Sequence, residues 1–309
     1  MSRLINRLLP SVPVGPTSVS DLDHALAGAL AGDALVGTQD PLAFVAFLRE
    51  CWRPLTYRTT TLVDHGRAEG SRPEDNDAAA QAALRFETLL ETLRTGVPAF
   101  SYASATRLAR VADGLTGRRE HFDRPRVAYD IAMHARSAAT WTANGRFLAA
   151  LVRFARSSRI VEIGTAYGMS SLFMATELVP DGTIATIEVS EPQRTLSREL
   201  LEKEEPHRVH TIHAWSHEAV DQVRNILGTA TLLFHDGGHS GEAYVRDFDL
   251  YLPIMESGGI VLFDNIRWDN RLWAASDPKT YEGWLKVTQH PRVRMAVEID
   301  DDYGLIQLT

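Results

Sequence analysis

Apolar positions run along this chain in two rhythms, and the change from one to the other divides it. Up to residue 117 they recur three or four apart. Leu22, Ala25, Leu26 and Leu30 form one such set, and Phe44, Phe47 and Leu48 a second. Ala79, Ala82, Leu84, Phe86, Leu89, Leu90 and Leu93 form a third, and Ala103, Leu108, Val111 and Leu115 a fourth. That period predicts four helices. Ser20-Asp21 caps the first, which ends near Gly37; Asp40-Pro41 opens the second, with proline at its first position, and Trp52 closes it. Asp77-Ala78 opens the third, stopped by Gly96 and Pro98, and the fourth ends at Gly117. Pro10, Pro13 and Pro16 make residues 1–18 an extended arm, and 67–77 reads as a loop. The charged stretch 118–126 is the expected linker. Residues 1–125 are thus expected to be an all-helical N-terminal domain. His24, His65 and His121 stand singly there and read as surface or packing residues.

From Val127 the pattern changes. Helical segments through Ile131 and Met133, then Phe147, Leu148, Leu151 and Phe154, lead into short apolar runs. The runs at 159–164, 183–189, 208–214, 231–236 and 259–264 alternate with helical stretches near 170–178, 191–203, 217–227 and 240–256. This alternation predicts a parallel, doubly wound α/β sheet over 126–309. The last two runs, Val293–Ile299 and Tyr303–Leu308, are joined by three aspartates and read as an antiparallel hairpin.

Composition narrows the function classes. A chain of 309 residues has room for one large domain and a smaller one. Its net charge is −8 and it shows no basic patch, which disfavours a nucleic-acid partner. Cys51 is the single cysteine, so no intrachain disulfide can form, as befits a reducing compartment. The N-terminus carries no signal-peptide pattern, and no apolar run is long enough to span a bilayer. A cytoplasmic protein without a membrane partner is expected.

Candidate chemistry gathers at the ends of the predicted strands. Arg159-Ile160-Val161-Glu162-Ile163-Gly164-Thr165-Ala166-Tyr167-Gly168-Met169-Ser170-Ser171 reads as a buried strand, a glycine turn and a helix start. Glycines at 164 and 168 would let a ligand approach the backbone closely. A pyrophosphate would prefer G-x-G-x-x-G, which is absent. A zwitterionic amino-acid tail would find its ammonium partner in Glu162. A structural turn without ligand is the third possibility. The next strand, Thr183 to Glu188, again ends in an acid, where nucleoside sites accept ribose hydroxyls.

Together these residues resemble the cofactor site of class I S-adenosylmethionine-dependent methyltransferases. The wording from Val161 to Ala175, followed by Ala185 to Gln193, is similar to the metal-dependent catechol and caffeoyl-CoA O-methyltransferase branch. The resemblance covers about residues 133–309. It implies a seven-stranded Rossmann-like sheet ending in an antiparallel pair. It also implies S-adenosylmethionine held by Glu162, Gly164, Tyr167, Gly168, Ser170, Glu188, Ala214, Trp215 and Asp236. For Trp215, plain core packing is the alternative.

The run Leu232-Leu233-Phe234-His235-Asp236-Gly237-Gly238-His239 delivers an acid and a histidine to the sheet's C-terminal edge. The following strand delivers Asp264-Asn265 to the same edge. Two carboxylates and an amide suit Mg²⁺, and by resemblance Asp236, Asp264 and Asn265 would be its ligands. Each alone could equally cap a helix. His239 stands where the catechol enzymes place a basic lysine. An imidazole can take a hydroxyl proton at neutral pH, with Asp236 beside it; a metal ligand or a helix-start cap is the alternative. His235 reads as packing. The segment from Asp264 to Trp273 looks like the DNVLW segment of bacterial caffeoyl-CoA-type enzymes, and Trp268 and Trp273 could wall an aromatic acceptor or pack under the following loop. His134 is a further candidate for touching the acceptor. The expectation is an O-methyltransferase for a small hydroxylated acceptor, aromatic or a vicinal diol. The alternatives are a sugar or nitrogen methyltransferase of the same fold, or a noncatalytic cofactor-binding partner. The helical N-terminal domain would roof the acceptor or join a homodimer.

Overall fold

The computed structural model describes residues 27, 38, 41–65, 73–117, 138–267 and 279–309. The expected arm, first helix and linker, together with Met133, His134, Trp268 and Trp273, lie outside the described residues. In chain order the elements are α1 (Pro41–Trp52), β1 (Thr59–Asp64), α2 (Pro73–Thr95), α3 (Tyr102–Gly117), α4 (Ala138–Ala155) and β2 (Arg159–Ile163). Then come α5 (Met169–Ala175), β3 (Thr183–Glu188), α6 (Glu191–Glu204), β4 (Val209–His213), α7 (Val220–Leu227) and β5 (Ala230–His235). The chain closes with α8 (Gly241–Tyr251), β6 (Met255–Phe263), α9 (Thr280–Thr288), β7 (Val293–Ile299) and β8 (Tyr303–Leu308).

Among the described residues, all eight strands join one sheet in the order β1-β7-β8-β6-β5-β2-β3-β4. Strands β2 to β6 pair in parallel, whereas β8, β7 and β1 add antiparallel strands beyond β6. The C-terminal parts of the central strands are buried, with Val161, Ile163, Ala185, Ile187, Leu233, Val261 and Phe263 in one continuous core. Near-continuous apolar runs are what parallel strands covered by helices require. Chain order reverses between β2 and β5, so the crevice beyond their C-terminal ends is the ligand-binding position of such sheets.

The α/β sheet and its terminal hairpin follow the sequence expectation, with two corrections. The sheet has eight strands, not seven, and the region expected to be all-helical supplies the extra one. Strand β1 pairs antiparallel with β7 from Thr59↔Ile299 to Asp64↔Met295. Its β-branched residues favour extended backbone, but its exposed face gives no apolar alternation to read. The pairing continues past its start, where Asp300 N donates to the Arg58 carbonyl at 3.0 Å and Arg58 N donates to Asp300 Oδ1 at 2.7 Å. The second correction concerns helices. α2 starts at Pro73, so part of the expected loop is helical, and α9 had no sequence expectation at all.

The chain forms two compact units, Met1–Leu55 with Gly96–Phe147, and Thr56–Thr95 with Leu148–Thr309. Residues 56–95, which the sequence grouped with the N-terminal helices, belong with the sheet. Within the first unit, the buried Arg146 guanidinium donates to four backbone carbonyls, those of Glu50, Arg53, Val97 and Pro98. Two of these close the C-terminal turn of α1, where a cation is favoured. Among the described residues, no helix is long and apolar enough to cross a membrane.

Candidate active site at the C-terminal edge of the sheet

Strands β2 and β3 build the first half of the site. Glu162 is fully buried in β2, and Ser171 from the start of α5 donates to its Oε2. Burial pushes its carboxyl above the usual range; hydrogen bonds from Ser170, Ser171 and Thr186 oppose the rise, and the nearby charge of Glu188 adds to it. Its other oxygen, Oε1, is buried and receives no hydrogen bond from the protein. A buried acceptor left so costs about 1–3 kcal/mol, more when charged. The position therefore fits a ligand that brings a cationic donor.

The turn after β2 is pinned to β3. Gly164 and Thr165 donate to the carbonyl of Ile187 at 3.0 and 3.1 Å. Glu188, at the tip of β3, accepts from Ala166 N and Ser190 N, each at 2.8 Å. Ala166 takes φ 45° in this turn. Gly164, at φ 98°, has a reason within the fold itself: a Cβ there would collide with the Asp236 carbonyl. At Gly168, φ 83°, a Cβ would press on Leu201 at 3.1 Å. The turn thus packs tightly on two sides. Tyr167 is buried beside it, Ala214 is partly buried past the tip of β4, and Trp215 is 58% exposed. A large exposed indole at a strand tip does not serve the core, which removes the packing alternative for Trp215.

Strands β5 and β6 build the second half. Asp236, His239 and Asp264 each offer a ligand atom, all within 4.8 Å of one another. His239 Nε2 lies 3.8 Å from Asp236 Oδ1. The Asn265 amide donates to the Asp264 carboxylate, and Asn265 takes φ 58°, a conformation asparagine tolerates. Removal from water and the facing charge of Asp264 hold the Asp236 carboxyl well above its ordinary range, with Glu162 and Asp302 adding to the rise. Two carboxylates crowded this way are a donor set for a divalent cation; the imidazole widens the choice beyond the strict oxygen preference of Mg²⁺.

Several residues around this half carried no sequence expectation. Tyr303 on β8 is buried, and burial together with Asp264, Tyr57, Asp236 and Asp302 raises its phenol well above the usual value. Its place follows from register: Gly304 pairs with Phe263, which sets Tyr303 at the Asp264 end of β6. The Asp302 carbonyl accepts from Ile266 N at 2.9 Å. Asp300 and Asp301 take φ 50° and 60°, the left-handed pair that a tight hairpin turn needs. The sequence signalled the hairpin but not which tip it would meet. His235 is packing, as expected, and it is also paired: it is buried, with Nε2 3.0 Å from Asp247.

Residues 161–266 match a family described as a methyltransferase domain. A protein of Arabidopsis thaliana named as a caffeoyl-CoA O-methyltransferase is 31% identical over 125 residues, which are 40% of this chain and 53% of that protein. The tapetum-specific methyltransferase 1 of the same plant is 28% identical, over 40% of this chain and 52% of its own length. The chain thus spans about half the length of these curated relatives. Among solved structures, the O-methyltransferase TomG of Streptomyces achromogenes, bound to S-adenosylmethionine, superposes with a TM-score of 0.50 at 20% identity. That match covers 64% of this chain and 89% of TomG. The S-adenosylhomocysteine-bound methyltransferase PaMTH1 of Podospora anserina also gives 0.50, at 18% identity, covering 79% of this chain and 99% of PaMTH1. These two structures share the fold of this chain.

Proposed function

We propose that this chain, whose residues 161–266 match a methyltransferase-domain family, is a class I S-adenosylmethionine-dependent O-methyltransferase acting with a divalent cation on a small hydroxylated acceptor. The observation that supports this most is one sheet edge carrying two unlike acidic half-sites. Buried Glu162 keeps an oxygen for a cationic donor, and Asp236, His239 and Asp264 converge beside it. A curated relative named for caffeoyl-CoA O-methylation points the same way.

The cosubstrate supplies a methyl group on a sulfonium. Glu162 Oε1 would meet its ammonium. Glu188, with both oxygens already holding backbone N–H groups, has lone pairs left for ribose hydroxyls. Trp215 and Ala214 would line the adenine side. A bound divalent cation, held by Asp236, Asp264 and Asn265, would supply the positive charge that acidifies an acceptor hydroxyl and fixes its direction. His239 would take the hydroxyl proton on Nε2, the nitrogen that faces Asp236. Rate enhancement would come mostly from holding oxygen and methyl in line.

His239 lies close enough to the two carboxylates to serve as a ligand instead. Metal affinity of His239→Ala separates the two roles: it is kept if His239 is a base and lost if it is a ligand. The function itself is tested with S-adenosylmethionine labelled on its methyl group, offered with a panel of catechols, hydroxycinnamates and sugars. Label should enter a catechol or hydroxycinnamate oxygen with Mg²⁺ present and stop in EDTA. Label in amines or sugars alone, or full activity in EDTA, would overturn the acceptor class or the metal respectively.

A further inference from the structure

We propose that helix α8 is a brace for the metal half-site, and that Tyr244 and Asp247 set the spacing at which Asp236 and Asp264 meet a cation. The inference rests on the metal reading above. Tyr244 is fully buried, and its hydroxyl donates to the backbone carbonyl of Asp264 at 2.5 Å. Its ring stands edge-on to His235, with centroids 5.0 Å apart, and lies 5.0 Å from Phe263. Asp247 sits three residues further along the helix, on the same face. It accepts from His235 Nε2 at 3.0 Å and from Arg246 Nε at 2.9 Å. Burial alone would raise its carboxyl, but these hydrogen bonds outweigh burial and hold it below the ordinary range.

The two strand tips are also tied to each other. Asp264 N donates to the His235 carbonyl at 2.9 Å, and His235 pairs in register with Phe263. One face of α8 therefore grips β6 through the backbone of Asp264, and β5 through the side chain beside Asp236. Packing alone would be served by phenylalanine and leucine at these positions. Instead each spends a buried polar group on a point directly behind an acidic residue. Like charges this close repel and would spread if the tips were free. Spreading would relieve the crowding but lose the geometry that a small divalent cation demands. Tyr244 and Asp247 are positioning residues by this argument, since they act through the backbone of Asp264 and the ring of His235.

The test is calorimetric titration of the full chain with MnCl₂, in the presence of S-adenosylhomocysteine. Tyr244→Phe keeps the ring and removes only the hydroxyl. Losing a partner that orients a metal ligand costs about 10–100-fold in metal affinity, and that loss is expected here. S-adenosylhomocysteine affinity and melting temperature should stay near wild type. Asp247→Asn keeps the shape and should weaken Mn²⁺ in the same direction, giving a second reading should Tyr244→Phe misfold. Equal Mn²⁺ affinity in wild type and in a folded variant overturns the brace and leaves the metal reading standing. No Mn²⁺ binding in wild type overturns the metal reading, and the brace with it. An equal loss of Mn²⁺ and S-adenosylhomocysteine affinity would show general damage to the fold and also overturn the brace.

Discussion

The tips of β2 and β3 and the tips of β5 and β6 hold two acids each, yet the two pairs live in opposite electrostatic circumstances. Glu188 is held by two backbone N–H groups, and Glu162 by the Ser171 hydroxyl at one oxygen. Asp236 faces Asp264, and the charges of Glu162 and Asp302 add to the crowding. Hydrogen-bond donors from turn and helix hold the first pair and leave one buried oxygen, Glu162 Oε1, for a donor that an organic ligand would bring. The second pair is crowded by like charge, which a cation would relieve. On the proposed reading, such a difference would let one sheet edge separate cosubstrate binding from metal binding by what surrounds the carboxylates rather than by their number.

Removing an acid from the crowded pair should have the largest effect. Asp264→Ala is expected to abolish turnover and metal binding, beyond the 10–100-fold that losing a supporting partner costs. S-adenosylhomocysteine affinity should stay within about twofold of wild type. A parallel loss of cosubstrate affinity, read by calorimetry, would erase the distinction between the halves. His239→Ala should lower kcat by about 10²–10⁴, the usual worth of a positioned base. His239→Lys should recover part of that rate. Steady-state kinetics at saturating S-adenosylmethionine reads both.

On the satisfied side, Glu188→Ala should weaken S-adenosylhomocysteine by about 1–3 kcal/mol, or about 5–150-fold. Unchanged affinity would place the ribose elsewhere. The smallest effect expected is a pH slope. Folding raises the Glu162 carboxyl, so its contribution to stability in the ligand-free protein is present below the unfolded carboxylate value, about 4.3. That contribution is lost as pH climbs through the raised folded value. An ammonium partner favours the charged form instead. Affinity for S-adenosylhomocysteine should therefore fall as pH drops through the raised value, at no more than about tenfold per unit. Glu162→Gln should flatten that limb; a limb of equal slope in the variant would assign the proton to another group.

Legibility from sequence followed the same division. Apolar runs ending in Glu162, Glu188, Asp236 and Asp264 announced the parallel strands and their acidic tips, because buried parallel strands leave an unbroken pattern. Residues that arrive by tertiary pairing left no such trace. Thr59–Asp64 has an exposed face and becomes a strand only because β7 offers it an edge. Tyr303 reads as one more hairpin aromatic until register sets it beside Asp264. Asp247 and Tyr244 look like ordinary positions on an amphipathic helix. Their roles depend on which strand tips lie beneath α8, and local spacing does not encode that.

The separation of the two halves is tested most directly by titrating the wild-type protein with S-adenosylhomocysteine, once in EDTA and once in excess Mg²⁺, with NAD⁺ as the competing nucleoside ligand. One saturable site of equal affinity in both buffers is expected, with no heat from NAD⁺. Binding that appears only with Mg²⁺, or binding of NAD⁺ in place of S-adenosylhomocysteine, would contradict two independent half-sites on one edge.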